Sequence, residues 1–344
     1  EDKLPTELVE NSSFNYELIA TNRNEELDFE IFNISGNSPQ SDFSPTFFKE
    51  SLLFSSDRPD GSKSIYGPSG KSYINIYESR IDLQGNVIDP QPFKGITDTK
   101  FHRATPYYSK ELGNIFYVLS NSDGENLEFS DNGKNALSIG MTNGQRSFKY
   151  VLRDPDTSFY YPFYEASTGR LFFAADFGNG YGGTDIYYVY TNDGLIMSSP
   201  TNLGPRINTP GNEIAPFIFE NNLYFSSDIF YGLGGMDIYK STVHSDDSYS
   251  IPINLGEGIN SSKDDFGFII KNNDTNGLLG YFSSNRDGGK GGDDIYGFNV
   301  KEKPGLKTLA LKGKVVNLTT NNGVSKAQII LNDKDGKLIK EVFA

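Results

Sequence analysis

Cysteine and tryptophan are missing from this 344-residue sequence, and histidine occurs only twice. Without cysteine there is no disulfide framework, no thiol nucleophile and no thiolate metal site. The two histidines, His102 and His244, stand in unrelated contexts, and neither has the spacing of a paired metal ligand. Basic residues are also scarce, with 31 Lys and Arg against 45 Asp and Glu, for a net charge of −14. Nucleic-acid backbones and anionic lipid surfaces both require clustered Lys and Arg, so neither partner is expected. No apolar run approaches the ~20 residues of a membrane-spanning helix, so no direct membrane insertion is expected. No G-x-S-x-G elbow occurs, and Gly70-Lys71-Ser72 lacks the upstream glycine of a phosphate loop. The opening EDKLPTE reads as a mature or trimmed start.

What is present is aromatic and glycine-rich. There are 26 Phe, 21 Tyr and 36 Gly, while apolar residues make up only 36%. Phe and Tyr favour pleated, half-buried surfaces, and Gly punctuates turns. A many-stranded β protein is the expectation. The charge is uneven: residues 301–344 carry nine Lys and four acids, which leaves −19 on the preceding 300 residues. This shift marks a domain boundary.

Internal repeats carry the fold. LFFAADFGNGYGGTDIY (Leu171–Tyr187), LYFSSDIFYGLGGMDIY (Leu223–Tyr239) and GYFSSNRDGGKGGDDIY (Gly280–Tyr296) align at once. Each is an aromatic strand, a small-small-Asp/Asn turn, a Gly-rich loop and an Asp-Ile-Tyr strand opening. Looser copies are LLFSSDR (Leu52–Arg58) with YINIY (Tyr73–Tyr77), and IFYVLSNSD (Ile115–Asp123) with ALSIGM (Ala136–Met141). LIATNRNEELDFEIF (Leu18–Phe32) reads as a further hairpin, with Thr21-Asn22-Arg23 as its turn and Glu30-Ile31-Phe32 as its strand opening. Each later hairpin follows a strand that contains Pro45, Pro106, Pro162 or Pro216, or the FGFII of Phe266–Ile270. Proline has no N–H and belongs at strand starts or sheet edges. Asn202-Leu203-Gly204 and Asn254-Leu255-Gly256 recur between copies, each followed by Ile-Asn. The expectation is an all-β, six-bladed propeller over residues 1–300, closed by its N-terminal segment. A linker over 301–310 and the start of a β-sandwich over 311–344 follow. Strands are expected at Leu311–Leu318, Ala327–Leu331 and Leu338–Phe343. Asn332–Gly336 makes an Asp-Gly turn, and the native chain is expected to be longer.

The repeated acids admit two readings. Asp57, Asp185, Asp237 and Asp294 are expected to accept backbone N–H bonds in turns, as Asp does in Asx-turns. The other reading is calcium, for which Asp287, Asp293 and Asp294 form the one plausible loop. No cofactor is expected. The repeat breaks at two places: an insert at Pro59–Ser72, and the Ser120-Asn121-Ser122-Asp123 copy followed by Gly-Glu-Asn-Leu. Function is often added at such breaks. Phe159-Tyr160-Tyr161 and Phe230-Tyr231 are candidate sugar platforms.

Ser55-Ser56-Asp57-Arg58 and Ser283-Ser284-Asn285-Arg286 resemble the Asp-box turns of sialidases, which are structural there. More broadly, the repeats resemble the WD-like propeller of Bacteroidota OmpA-family envelope proteins, the PorE-like branch of the type IX secretion and gliding apparatus. The propeller is also distantly similar to that of TolB. The segment LKGKVVNLTTNNGVSKAQIILNDKDGKL is similar to the start of a carboxypeptidase regulatory-like domain. This resemblance implies a non-catalytic periplasmic scaffold, associated with the outer membrane or cell wall. Its partners would be envelope or outer-membrane proteins, secretion-system components among them, with peptidoglycan reached only through a domain outside this chain. The alternative is a glycan-binding or glycan-cleaving propeller, since glycosidases of this shape use carboxylates alone.

Overall fold

A computed structural model describes residues 4–20, 29–59, 65–144, 147–273, 277–301, 314–332 and 338–343. The chain divides into two compact units, Glu1–Lys303 and Pro304–Ala344.

The first unit is a propeller of five blades, not six. The innermost strands of the blades are Asp42–Phe48, Arg103–Ser109, Phe159–Glu165, Glu213–Phe219 and Asp265–Asn272. They pack against one another around the axis. The second strand of each blade is the aromatic strand of the repeat, and the third opens at Asn75, Leu137, Asp185, Asp237 or Asp294. Antiparallel hydrogen bonding joins each set in order.

The segment read as a sixth hairpin does something else. Leu4–Ala20 is a helix, and Thr21-Asn22-Arg23 lies outside the described residues. Glu30–Asn33 is a strand that pairs antiparallel with Asp294–Val300 and forms the outer edge of the last blade. The N-terminal segment thus closes the ring by completing blade 5. The helix lies against the outer edge of blade 4. There Asn15 donates to the Pro252 carbonyl at 2.8 Å and accepts the Asn254 N–H at 2.7 Å. An ion pair between Glu7 and Arg206 at 2.6 Å fixes its other end.

One cross-strand pair recurs in the core. Phe54 faces Tyr77, Phe173 faces Tyr187, Phe225 faces Tyr239 and Phe282 faces Tyr296, with centroids 5.8–6.1 Å apart. Blade 2 departs from this, with Tyr117 opposite Gly140 and Phe148 packed against Tyr117 at 6.2 Å. Burying each large apolar side chain contributes about 1.5–3 kcal/mol. The residue after the turn covers each aromatic pair. Arg58 and Arg286 do so as cations within 5.3 Å of the rings and Phe177 does so as a ring, while in blade 4 Phe230, one position further on, takes this place.

The repeated prolines occupy the sheet edge that faces the axis. Each innermost strand shifts register at its centre, for example between Phe43 and Thr46 and between Tyr160 and Phe163. The residue before each proline (Ser44, Thr105, Tyr161 and Ala215) has φ between 43° and 54°, and Gly267 takes φ 68° in the fifth blade. Proline suits this bulge because an N–H there has no strand partner.

In the second unit, Gln328–Asn332 and Leu338–Phe343 pair as a two-stranded ribbon, and Val316 bridges Gly323. A ribbon does not make a sandwich layer, so no β-sandwich segment stands there among the described residues. Residues 302–313 and 333–337, which hold the expected linker, the start of the Leu311–Leu318 strand and the Asp-Gly turn, lie outside the described set. No helix among the described residues is long and apolar enough to cross a membrane.

Candidate functional site

The repeat acids fall into two classes. Asp185, Asp237 and Asp294 are buried and hold the Gly-rich loops from within. Asp185 accepts the Tyr181 N–H and the Asn202 side-chain amide, each at 2.7 Å. Asp237 takes the Leu233 N–H and, at 3.2 Å, the Asn254 amide. Asp294 takes the Lys290 and Gly291 N–H groups at 2.5 and 3.0 Å and the Asn33 amide at 2.8 Å. Asn33 therefore does for the closing strand what Asn202 and Asn254 do elsewhere. The Gly-Gly pairs beside these acids exist for close approach. A Cβ on Gly182, Gly234 or Gly291 would overlap backbone of the next blade.

Asp57 belongs to another position. It ends the second strand of blade 1, accepts the Ser41 N–H at 2.7 Å and pairs with Lys71 at 2.9 Å. Asp228 and Asn285 repeat this role towards Asn212 and Asp264. Asn212, Asp264 and Ser41 in turn accept N–H groups of the preceding blade, from Thr184, Met236 and Asp293. This relay runs around one end of the axis and places acids from different blades near one another.

Asp57 and Asp293 stand where blade 5 meets blade 1, and Asp264 stands where blade 4 meets blade 5. Burial raises the Asp293 carboxyl above the usual carboxylate range. The Asp264 and Asp57 charges push it further, against the Ser41 hydroxyl and Lys71. Asp264 accepts from Met236 at 3.0 Å and from the Asn285 amide at 2.9 Å. Tyr161, from the axial edge of blade 3, is close enough that Asp293 helps raise its hydroxyl pKa, after burial itself. Tyr161 also lines a small axial cavity of about 40 Å³ with the repeated prolines. A carboxyl raised by burial, with further carboxylates acting on it, is the equipment of acid–base chemistry on an acetal.

The calcium candidates are not gathered. Asp287 is exposed and lies 3.5 Å from Lys263, and the Asp294 carboxylate is filled by the donors above. No set of three metal-type side chains comes together among the described residues. His244 lies in a turn of blade 4. His102 is half-buried against Tyr66 and Tyr73 and accepts the Ile74 N–H at 3.1 Å. Burial lowers its pKa to about 4. Of the proposed sugar platforms, Phe159 packs on Phe173 and Phe177 in the core. Phe230 covers Tyr239, and Tyr231 meets Tyr16 of the helix at 5.4 Å. Only Tyr161 reaches the axial cavity.

One buried acid lacks the partner its repeat position has elsewhere. Asp42 and Asp265 head their innermost strands and pair with Arg58 and Arg286 at 2.6 and 2.7 Å. In blade 4 the acid is Glu213, and Ile229 stands where those arginines do. Glu213 is held by Thr209 and Ser227, and burial pushes its pKa to about 7. The folded state therefore retains a proton that the unfolded chain loses at about 4.5, and stability falls as pH rises from about 4.5 to 7. Glu213→Gln is expected to remove this slope and add on the order of 2–3 kcal/mol at pH 8. Urea unfolding at pH 5 and pH 8 measures it.

No family model matches the chain, and no curated protein does. Solved structures similar to it include a thermostable family-43 glycoside hydrolase, at 12% identity over 77% of this chain and 90% of that one, with a TM-score of 0.48. Another is an endo-arabinase from Bacteroides thetaiotaomicron, at 14% identity over 78% and 95%, with a TM-score of 0.48. A third is an α-L-arabinofuranosidase from Lactobacillus brevis, at 11% identity over 89% and 95%, with a TM-score of 0.46. These findings correct the expected kinship with OmpA-family, PorE-like envelope proteins and with a carboxypeptidase regulatory-like domain. No model of either family matches, and none of the three similar structures named above is described as an envelope protein of that kind. The readings that rested on that kinship are corrected with it: a non-catalytic scaffold, envelope or secretion-system partners, and a link to peptidoglycan. What stands is an all-β propeller of five blades.

Proposed function

We propose that the propeller is a glycan-cleaving enzyme acting at the axial end where blade 5 meets blade 1. The observation that carries this is the Asp293 carboxyl, raised by burial and by its neighbours Asp264 and Asp57. In this reading Asp293 protonates the leaving glycosidic oxygen. Asp264 supplies the carboxylate on the other side of the sugar, held in place by Met236 and Asn285. Asp57, paired with Lys71, contributes charge. Two carboxyl groups in different environments suffice for glycoside hydrolysis, without a nucleophilic hydroxyl, thiol or metal. The test is release of new reducing ends from neutral plant and microbial polysaccharides by the purified chain. Turnover of one class supports the reading. No turnover of any, at pH 4 to 8, contradicts it.

A further inference from the structure

The two places where the repeat breaks lie at the same end of adjacent blades. The insert in blade 1 forms a short hairpin, Ile65–Tyr66 against Lys71–Ser72, which leads into Tyr73. The irregular turn of blade 2 runs through Gly124, Glu125 and Asn126. A cleft of about 550 Å³, within the size range of ligand sites, is lined by Tyr73–Asn75, where the insert returns to its strand, and by Gly124–Asn126 of the turn. It opens at the same end of the propeller as the carboxylates, and the Lys71–Asp57 ion pair joins its hairpin to them.

The lining has a definite chemistry. Lys100 and Arg103 bring donors, Asp98 and Glu125 bring acceptors, and Asn126 brings both. The charges cancel, in a chain of net −14. Tyr73 adds an aromatic surface. Arg103 occupies the strand-head position that is acidic in three other blades, and Asp98, fully exposed, lies 3.8 Å away. The wall is rigid: Tyr73 packs on Tyr66 at 5.4 Å and on Phe101 at 5.9 Å, over the half-buried His102. Alternating donors and acceptors beside a ring match vicinal hydroxyls, which both donate and accept. They do not suit a polyanion, which Asp98 and Glu125 would oppose, nor an apolar ligand.

We propose that this cleft is a distal subsite for an uncharged oligosaccharide, binding sugar units away from the bond that is cut and setting a preference for longer chains. The proposal rests on the glycan reading above. Calorimetric titration of the Asp293→Asn protein, which holds substrate without turnover, tests it. The probes are neutral xylo-, arabino- and cello-oligosaccharides of two to six units, with oligogalacturonides as the acidic arm. Affinity is expected to rise with length in a neutral series. Tyr73→Ala should weaken the longest chain at least tenfold, and Glu125→Ala or Asn126→Ala about threefold, with the shortest chain unaffected. Glu125 and Asn126 are exposed, so their variants decide the matter even if Tyr73→Ala fails to fold. Length-independent binding, no binding by any series, or tighter binding of the acidic series overturns the subsite. The two readings fail separately. Hydrolysis that requires Asp293 but ignores Glu125 and Asn126 removes the subsite alone. Length-dependent binding sensitive to those residues, with no hydrolysis by the wild type, removes the cleavage reading alone.

Discussion

Asp293→Asn is expected to lower glycan turnover by about 10²–10⁴-fold while the protein stays folded. The amide keeps the shape and the hydrogen-bonding capacity of the carboxyl but has no proton to transfer. The variant should not be less stable. Asp293 is raised by burial first, so its ionised form is disfavoured in the folded state. A raised carboxyl contributes stability below its unfolded pKa, and that contribution is lost as pH rises through its folded pKa. Removing the titration should leave the melting temperature unchanged or higher at neutral pH. The same shift sets the pH profile. Turnover needs protonated Asp293, so wild-type kcat should fall on the alkaline side as this carboxyl ionises. Lys71→Met withdraws a cation that favours the ionised form, so the falling limb should move to higher pH. A thermal melt and a pH–rate profile on the same preparations separate loss of chemistry from loss of fold.

Asn37→Ala is expected to open the ring. The Asn37 amide donates to the Ile295 carbonyl at 2.8 Å and to Asn33 Oδ1 at 3.0 Å, and its Oδ1 accepts the Ile295 N–H at 3.0 Å. Alanine strands the Ile295 N–H in a buried site, at about 1–3 kcal/mol, and leaves its carbonyl with the Ile34 N–H at 3.3 Å. Asn208 and Asn260 make the same bonds to Ile186 and Ile238. Those two lie between blades that follow one another in the chain. Asn37 joins the N-terminal strand to blade 5, where only non-covalent contacts close the circle. Asn37→Ala and Asn208→Ala should therefore cost similar stability in urea unfolding. Only Asn37→Ala should expose the amides of Asp294–Val300 to rapid hydrogen exchange. Equal protection of that strand in both variants would mean that the closing strand is not held by Asn37.

Much of the fold could be read in the residues. The aromatic strand, the small-small-Asp turn, the Gly-Gly approach and the Asp-Ile-Tyr opening each have one physical cause, and the structure repeats them. The blade number was misread for an equally physical reason. Thr21-Asn22-Arg23 and Glu30-Ile31-Phe32 mimic the turn and strand opening of the last copy, so they read as the start of a blade. Asn33-Ile34-Ser35-Gly36-Asn37 is the better signal. It is a shortened form of the Asn-Leu-Gly…Ile-Asn connection at 202–208 and 254–260, which ends a blade. Read that way, Glu30–Asn33 is an outer strand, and five blades follow.

The carboxylate cluster was less legible. Asp293 is named in the sequence as a calcium candidate, beside Asp294 and Asp287. Its actual neighbours are Asp264 and Asp57, and Asp57 is 236 residues away in the chain. Closure of the ring brings them together, and no local spacing encodes that. The cleft of blades 1 and 2 was half legible. Both departures from the repeat are visible in the sequence, but their lying at one end depends on how adjacent blades are set.

Reducing-end release by the wild type and by Asp293→Asn, side by side on the same neutral glycans at pH 5 to 7, tests the central claim most directly. The expected result is turnover by the wild type and a loss of at least a hundredfold in a folded Asp293→Asn protein. Equal rates for the two proteins, or no turnover by the wild type, would contradict it.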